Sequence, residues 1–549
     1  GVDFSTASSL AHMTDYRPPV RDIRFVMDEV AGLSDITATE RFGHVDDDTV
    51  HEVLAEVGRF MAEVIAPTNR DGDTIGAQFQ PDGTVVTPES FRDAYAKWVE
   101  SGFGAMPFDP DYGGAAFPWI SAIGVQEMLT SANMALSLCP LLTQGAIDAI
   151  HAHGSEEQRA TYLPKVLTGE WTGTMNLTEP QAGSDVGAVT SKAEPDAAAS
   201  SRWGEGAYRI TGQKIFITWG EHDCADNTVH LVLARTPGSP PGTKGISMFL
   251  VPKFLLEADG SLGDRNAAHC VSIEHKLGIH GSPTCVMSYE DAIGWLVGGE
   301  HEGMRNMFTM MNNARLSVGL EGLCIAERAY QQALDYAQER VQGRAIGAEP
   351  GTSSPIIDHP DVRRMLMTQR AWIDAMRCLI YTNAGALDRA DAAHAAGDVD
   401  DARRWREFAD LLIPLSKGLC TDVGCEMTSL AVQVHGGMGY VEETGAAQHY
   451  RDARIAPIYE GTNGIQAADL VGRKLGMRGG QVVTDLLDEF DGSAKQLRDV
   501  SGTGAFGDRL AEAVAATRDV TSHLVVTGQS DPRGLLGASS PYLRILGTT

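Results

Sequence analysis

A single glutamate lies between an aromatic residue and a glycine in residues 458–466, where the order is Tyr459-Glu460-Gly461-Thr462. The preceding residues 455–459 are mostly apolar and have polar neighbours, which is typical of a loop that holds one acid in an apolar pocket. Desolvation disfavours a charged carboxylate, so we expect a raised pKa for Glu460, which would make it a useful base near neutral pH. A helix-capping glutamate before a glycine turn explains the same stretch, and on this stretch alone that simpler interpretation is favoured.

A second candidate for chemistry is the segment of residues 175–185, MNLTEPQAGSD. Pro180 and Gly183 enforce an irregular loop, and Thr178 and Ser184 supply hydroxyl groups. A loop that exposes amides and hydroxyls can hold a flat heterocycle rich in acceptors, such as a flavin. An ordinary ordered turn accounts for the same residues, and the residue types alone slightly favour it.

Two glycine-rich segments have different interpretations. Residues 436–439, GGMG, would let a backbone approach a ligand closely, although a helix C-cap explains them equally well. Residues 502–507, GTGAFG, match the dinucleotide fingerprint G-x-G-x-x-G. That fingerprint needs a preceding strand and a surrounding βαβ unit, whereas the neighbours here are polar and helical. We therefore interpret residues 502–507 as a chance match.

Polar and charged side chains on the predicted helices are a weaker indication of a binding site. Asn312 and Arg315 lie one helical turn apart, as do Arg340 and Arg344, so each pair is predicted to share a helix face. Arginines on long helices are more often solvated or ion-paired than bound to a ligand; a pyrophosphate clamp is the sharper hypothesis.

Several classes of catalytic site have no counterpart in the sequence. The histidines are dispersed without a cysteine or acidic partner at ligand spacing, which predicts no metal site. Nucleophile elbows and Walker-type loops are likewise missing from the sequence. Cofactor chemistry assisted by an acid–base residue is left as the favoured enzyme class.

Composition excludes some partners. The 549 residues carry a formal net charge of −29, which would repel a phosphate backbone and argues against a nucleic-acid partner. The eight cysteines show no C-x-x-C pair, which argues for a reducing compartment and predicts a cytoplasmic location. No apolar run is long enough for a bilayer span, so no membrane insertion is expected. Residues 1–12 are interpreted as a vector-derived leader, because the His12-Met13 junction looks like a cloning scar before a native start at Met13. A secretory signal is not predicted, since these residues have neither a basic n-region nor an apolar core.

Periodicity divides the rest of the chain into helical and β regions. Apolar residues spaced 3.6 apart between Val50 and Val64 begin a helical region. Two helices are predicted between Ile120 and His153, broken near Pro140, and a further helix is capped by Ser155. Residues 208–218, 229–235, 245–251, 285–289 and 295–297 are predicted strands. Long helical patterns then return from Met304, over residues 307–341, 361–392 and 403–434, and antiparallel helices of this length suggest a four-helix bundle.

These patterns predict a mainly α fold with a central β domain. We divide the chain into a leader or tag (residues 1–12), an N-terminal helical domain (13–171), a middle β domain (172–300), a C-terminal helical bundle (301–476) and a helical extension (477–549).

The order of these motifs resembles the acyl-CoA dehydrogenase family. The segments that carry the resemblance are residues 175–185, 214–218, 433–440 and 450–466, together with Arg315 and Arg340, over about residues 17–476. Within the family the chain is most similar to longer bacterial members with a C-terminal extension, which include 3-methylmercaptopropionyl-CoA dehydrogenases. The resemblance implies the family's three-part fold: an N-terminal helical domain, a β-barrel-like middle domain and a C-terminal four-helix bundle.

The resemblance also implies roles for single residues. It makes Glu460 the catalytic base and FAD the cofactor. The contacts to the adenosine half of FAD fall at Arg340, Gln433, Gly436 and Gly437 and are commonly supplied by a partner subunit. The residues that it assigns to FAD are Met175, Leu177, Thr178, Gly183, Ser184, Phe216, Ile217, Thr218, Arg340, Gln433, Gly436, Gly437, Thr462 and Gly464. Those assigned to the substrate are Ser184, Asn312, Arg315, Tyr459 and Gly461. The chain departs from the family pattern at Asn312, where an aspartate is common, at His435, where an aromatic residue is usual, and at Gly464, which can make only backbone contacts.

The activity implied by the resemblance is α,β-dehydrogenation of an acyl-CoA thioester to the trans-2-enoyl-CoA. Glu460 would remove the α-proton while hydride leaves the β-carbon for flavin N5, and hydrogen bonds to the thioester carbonyl would stabilise the developing enolate. An electron-transfer flavoprotein is the expected acceptor, NAD is not expected, and a homodimer is the expected assembly. Three alternatives remain open: an acyl-CoA oxidase that uses oxygen, a non-enzymatic DNA-associated relative of the same fold, and a helical protein without a cofactor. The acyl group is not predicted.

Overall fold

A seven-stranded sheet interrupts an otherwise helical chain in the computed structural model, which describes residues 16–549 except for the side chains of residues 312 and 313. The predicted leader and the side chain of Asn312 therefore lie outside the described part. The mainly helical fold with a central β region is confirmed. The predicted domain boundaries stay a prediction.

Helices precede the sheet. The N-terminal α-helices are α1 (Val20–Phe25), α2 (Leu33–Thr37), α3 (Asp47–Phe60), α4 (Asn69–Thr74), α5 (Glu89–Ser101), α6 (Trp119–Ala132), α7 (Met134–His153) and α8 (Glu156–Thr168). A small antiparallel ribbon, β1 (Gln78–Phe79) with β2 (Val85–Val86), lies between α4 and α5. Ser155 caps α8 as predicted, in a capping box that it forms with Gln158.

The prediction that Pro140 breaks the helix between Ile120 and His153 is wrong. The break falls at Asn133, whose backbone is extended and whose side chain accepts a 3.0 Å hydrogen bond from the amide of Leu136. Pro140 lies inside α7. A buried asparagine that caps the second helix thus sets the boundary, whereas a proline in a buried helix is tolerated by its packing.

The strands of the central sheet are β3 (Trp171–Asn176), β4 (Lys192–Pro195), β5 (Ala207–Thr218), β6 (Asn227–Ala234), β7 (Ser247–Pro252), β10 (Ala268–Ile273) and β11 (Thr284–Leu296). Their order is β3-β6-β7-β11-β5-β4, and β10 pairs with β11. Helix α9 (Ala197–Trp203) lies between β4 and β5, and β8 (Phe254–Leu256) and β9 (Leu262–Arg265) form a separate ribbon. Only β3 and β6 are parallel among the paired strands of residues 16–549. Strand β6 is buried along its whole length, and its residues 229–234 are apolar except for His230, as is typical of a strand covered on both faces.

Three long helices follow the sheet. These are α10 (Gly303–Glu339), α11 (Pro360–Ala395) and α12 (Val399–His435), and they pack on one another along their length. Shorter helices complete the chain: α13 (Ala446–Ala453), α14 (Asn463–Asp469), α15 (Gln481–Asp499), α16 (Gly504–Ser530), α17 (Pro532–Gly537) and α18 (Ser539–Thr548). Residues 502–507 run into the start of α16 with helix α15 before them, so the rejection of a dinucleotide fingerprint there is confirmed.

Helix α7 links the sheet to the long helices. A Cβ atom on Gly173 of β3 would lie 2.3 Å from Cβ of Ala146, and one on Gly145 would lie 2.7 Å from Cγ of Met310 in α10. Glycine is therefore needed at both places for the close approach. None of the helices in residues 16–549 combines the length and apolarity that a membrane crossing requires.

Candidate active site

The loop between α13 and α14 carries Glu460 in a left-handed conformation. Its φ angle is +54°, and Gly461 follows with φ +85°. A non-glycine residue in this region costs about 1–2 kcal/mol, so the surrounding contacts must hold it there. The amide of Asn463 donates to the carbonyl of Pro457 at 3.1 Å, and the Gln466 side chain donates to the carbonyls of Glu460 and Gly461, both at 3.3 Å.

Thr462, and not Glu460, caps the next helix. Its hydroxyl oxygen accepts a 3.3 Å hydrogen bond from the amide of Ile465 in α14. The interpretation of Glu460 as a helix-capping residue is therefore wrong. The Glu460 carboxyl is left free for another role.

Burial raises the pKa of Glu460, while Arg315 and Lys417 act in the opposite direction. The direction agrees with the prediction from the apolar run before it. Arg315 lies on α10, is 7% exposed, and has its guanidinium carbon 5.6 Å from the centre of the Phe308 ring. Its Nε is buried and has no hydrogen-bond partner among the described residues, which leaves a donor near Glu460 available for a ligand.

Sequence reasoning missed two charged residues beside this loop. Glu321 of α10 accepts a short hydrogen bond from the hydroxyl of Tyr459, and Lys417 of α12 donates a 2.8 Å bond to the side chain of Asn463. Both charged side chains are fully buried. A signal existed, because each is a single charge inside an apolar helical run, Leu-Glu-Gly-Leu and Leu-Ser-Lys-Gly-Leu.

The loop after β3 and the end of β5 lie side by side, as the predicted FAD site requires. The amide of Ile215 donates to the carbonyl of Thr178 at 2.9 Å, and the Thr174 hydroxyl donates to the carbonyl of Thr218 at 2.6 Å. Met175, Leu177, Thr178 and Thr218 are partly buried, whereas Gly183 and Ser184 are exposed.

The two neighbours Phe216 and Ile217 point in different directions. Phe216 has φ +58° and its side chain is 58% exposed, whereas Ile217 is 2% exposed and packs in the core of the β domain. Only the main chain of Ile217 is therefore left for the predicted contact with FAD, which stays a prediction. The alternating direction of side chains along a strand explains the difference.

A buried ion pair fixes the loop after β3. Lys214 donates to the Glu179 carboxyl at 2.8 Å and to the carbonyl of Leu177 at 3.1 Å. Glu179 also accepts hydrogen bonds from the backbone amides of Thr190 and Ser191 at 2.7 and 3.0 Å. Burial alone would raise the pKa of Glu179, but Lys214 and these hydrogen bonds outweigh it and lower the pKa to about 2. The carboxylate therefore ties both ends of the loop to β5.

The residues predicted for the adenosine half of FAD gather at the far end of the long helices. The rings of Tyr336 and His435 lie 4.7 Å apart, which brings the ends of α10 and α12 together. Arg340, Gln433, Gly436 and Gly437 are all exposed there. Helix α10 ends at Glu339 and Arg340 is extended, so the prediction that Arg340 and Arg344 share a helix face is wrong.

These four residues lie far from Glu460 within one chain. Asn463, three residues after Glu460, contacts Lys417 of α12, whereas Gln433 comes sixteen residues after Lys417 on the same helix. At a rise of about 1.5 Å per residue, the two positions are about 24 Å apart along the helix axis. The structure therefore gathers the predicted site residues in three places: the loop after β3 with the end of β5, the turn around Glu460, and the far end of the long helices. Gly464 is exposed in the turn around Glu460.

Comparisons with known proteins agree on one family. Family models described as the N-terminal, middle and C-terminal domains of acyl-CoA dehydrogenase match residues 47–170, 174–292 and 301–475. A protein of Ruegeria pomeroyi named 3-methylmercaptopropionyl-CoA dehydrogenase is 45% identical over 533 residues, which cover 97% of this chain and 89% of the relative.

Solved structures show the same fold. The structure of butyryl-CoA dehydrogenase from Megasphaera elsdenii matches with a TM-score of 0.61 and 25% identity, over 78% of this chain and 98% of the other. That of Caenorhabditis elegans ACDH-11 in complex with C11-CoA matches with a TM-score of 0.75 and 19% identity, over 97% of this chain and 87% of the other.

Proposed function

The chain belongs to the acyl-CoA dehydrogenase family of enzymes, and we propose that it converts an acyl-CoA thioester to the trans-2-enoyl-CoA with FAD as cofactor and Glu460 as base. One observation carries the assignment of the base: a partly buried carboxyl with a raised pKa sits in a strained backbone conformation that other residues hold in place. Such strain is typical of functional sites.

The chain's own residues divide the work of the reaction. Glu460 accepts the proton from the α-carbon, and its raised pKa makes it a stronger base than an ordinary carboxylate. The backbone amide of Glu460 donates to the thioester carbonyl, where negative charge develops as the proton leaves. Arg315, with a buried Nε that lacks a partner among the described residues, contributes to binding of the CoA thioester. When bound, FAD supplies the acceptor for the hydride from the β-carbon.

The residues after β3 and at the end of β5 fit a flat heterocycle. Phe216 exposes an aromatic ring in a strained conformation beside the partly buried Met175 and Leu177, and the Glu179–Lys214 pair holds their loop in shape. Apolar faces with backbone amides and hydroxyls at the rim suit an isoalloxazine ring. Met175, Leu177, Thr178, Gly183 and Thr218 would hold that ring, with Thr462 and the backbone of Gly464 on the side of the base.

A second copy of the chain completes the proposed cofactor site. Arg340, Gln433, Gly436 and Gly437 lie about 24 Å along α12 from the catalytic loop. We infer that they contact the adenosine half of a cofactor whose ring is held by the partner, in a homodimer. An electron-transfer flavoprotein as acceptor and a cytoplasmic location stay predictions from the resemblance.

The Glu460→Gln variant tests the assignment of the base. It keeps the size of the side chain and removes the proton acceptor, so flavin reduction by acyl-CoA should fall by about 10²–10⁴-fold, the range for a general base. Anaerobic bleaching of the flavin band measures the rate, and titration with an enoyl-CoA measures binding, which should stay within about threefold. Reduction at the wild-type rate would remove Glu460 from this role.

The acyl group and the electron acceptor need a separate screen. Straight-chain acyl-CoA thioesters of increasing length and 3-methylmercaptopropionyl-CoA, offered with a dye acceptor, would rank the substrates by kcat/KM. Peroxide release without any added acceptor would favour the acyl-CoA oxidase alternative. A preparation without flavin colour that gains none on incubation with FAD would contradict the enzyme proposal.

A further inference from the structure

A buried carboxyl on the longest helix touches the residue next to the base. The Tyr459 hydroxyl donates a short hydrogen bond to Oε2 of Glu321, which is fully buried on α10. The other oxygen, Oε1, has no hydrogen-bond partner among the described residues. A side chain of this kind is expensive to bury, so a purely structural role would be better served by an apolar residue.

The place of Tyr459 makes this contact significant for Glu460. Both residues belong to one turn, which is closed by the 3.1 Å bond from the amide of Asn463 to the carbonyl of Pro457. On the C-terminal side, Gln466 and Lys417 hold the turn through the Glu460 carbonyl and the Asn463 side chain. On the N-terminal side, Tyr459 holds the turn through the hydrogen bond that its hydroxyl donates to Glu321. Rotation of Tyr459 would therefore also move Glu460, the next residue, whose φ angle is +54°.

We propose that Glu321 is a positioning residue for the reaction: through Tyr459 it holds the strained turn in the orientation that aims the Glu460 carboxyl at the substrate. This inference rests on the proposed function of Glu460. The titratable groups that face Glu321 are Tyr459 and Glu460 from the turn, Lys417 from α12 and Cys324 from its own helix. Glu321 itself does not touch the substrate in this scheme.

Four variants test the proposal on the FAD-loaded protein. Tyr459→Phe removes the donor, Glu321→Leu removes the acceptor, the double variant removes both, and Glu321→Gln keeps an amide oxygen that can accept the bond. The first two should each lower the limiting rate of flavin reduction at saturating acyl-CoA at least tenfold, with enoyl-CoA binding unchanged within twofold. Glu321→Gln should stay within threefold of wild type. The double variant should be no slower than the slower single variant, because one interaction is lost in all three.

Tyr381→Phe is the matched control. The Tyr381 hydroxyl donates a 2.8 Å bond to the fully buried carboxyl of Glu127, whose other described hydrogen-bond donor is Arg377 and not a residue of the turn. This variant should lower Tm about as much as Tyr459→Phe but leave the rate of flavin reduction unchanged. Equal loss of rate in both variants would mean a general effect on stability and would overturn the proposal, as would independent, multiplying losses in the double variant.

Amide hydrogen exchange separates this proposal from the proposed function. Tyr459→Phe should speed exchange in residues 457–466 at least fivefold, whereas Tyr381→Phe should not. If no acyl-CoA reduces the wild-type flavin, the dehydrogenase assignment fails, and exchange alone decides whether Glu321 holds the turn. If Glu460→Gln is inactive while Tyr459→Phe reduces its flavin at the wild-type rate, the base stands and the role of Glu321 is refuted.

Discussion

Lys417 donates a 2.8 Å hydrogen bond to Oδ1 of Asn463, which ties the middle of α12 to the residue where α14 begins, three residues after Glu460. Asn463 in turn donates to the carbonyl of Gly418 and to the carboxylate of Asp422, at 3.0 and 2.7 Å. The segment after the base is therefore anchored on α12. Burial lowers the pKa of Lys417 to about 8, against the opposing effects of Glu460 and Glu321.

Lys417→Met should move the pH dependence of catalysis. Lys417 favours the ionised form of Glu460, so its loss raises the pKa of that carboxyl further. We expect the acid limb of flavin reduction to shift to higher pH, with a rate several-fold lower near pH 7. Stopped-flow reduction between pH 5.5 and 9 measures the profile. Lys474→Met is the control, because Lys474 lies 3.5 Å from the carboxylate of Asp410 on α12, the helix that carries Lys417. Identical pH profiles for wild type and Lys417→Met would contradict the prediction.

Glu321 should make stability depend on pH. Burial raises its pKa from 4.5 to about 8. A carboxyl with a raised folded pKa contributes stability that is fully present below pH 4.5 and is lost as the pH rises through about 8. Glu321→Gln has no such titration, so its Tm relative to wild type should rise between pH 5 and pH 8. Differential scanning fluorimetry across this range checks the sign, and a constant Tm difference would speak against a protonated Glu321 in the folded protein.

Lys214→Met should uncouple the loop after β3. It leaves the buried Glu179 carboxylate without its counter-charge, and loss of one partner of a buried pair costs about 3–5 kcal/mol. We expect a lower Tm and at least a tenfold weaker affinity for FAD, measured by flavin fluorescence. Lys253→Met breaks another buried pair in the β region, with Glu221, which keeps Arg265 as a counter-charge; it should lower Tm by less and leave FAD affinity unchanged. Equal FAD affinity in both variants would contradict the prediction.

Asn133→Ala should destabilise the fold more than an ordinary cap deletion. Asn133 accepts from Leu136 and donates a 2.8 Å bond to the Thr68 hydroxyl, and all of these groups are buried. The cap is worth about 1 kcal/mol, and loss of the bond to Thr68, whose hydroxyl keeps its bond to the Ile65 carbonyl, adds about 0.5–1.5 kcal/mol. Urea unfolding should show a larger loss than Ser155→Ala, which removes only the cap of α8. Equal losses would show that the Thr68 contact contributes nothing.

Local patterns in the sequence predicted most of the helices and strands. Sustained 3.6-residue periodicity gave the three long helices to within a few residues, because their buried faces run without interruption. The segments 285–289 and 295–297 were predicted separately, but they fall on one strand, Thr284–Leu296, which has two bulges and ends one residue before Val297. A bulge changes which side chains face the core, so alternation fails there and a single strand is predicted as two.

The candidate site was harder to predict because its residues meet across long chain separations. The Tyr459-Glu460-Gly461-Thr462 order drew attention to Glu460, but Glu321 and Lys417 lie 139 and 43 residues before it on other helices, and periodicity cannot reveal which buried charges face one another. The FAD assignment of Ile217 has a related limit. The motif assigned the three consecutive residues 216–218 to one ligand, whereas neighbouring side chains of a strand point to opposite faces, and the Ile217 side chain is buried.

The left-handed backbone conformation of Glu460 lowers the stability of the fold while it serves the proposed reaction. Glycine adopts this conformation without strain, and it would also leave no carboxyl to bury, so Glu460→Gly would be expected to melt at a higher temperature while losing its activity. Selection for thermostability alone would thus enrich inactive descendants at this position. Directed evolution of the chain therefore needs an activity screen in every round.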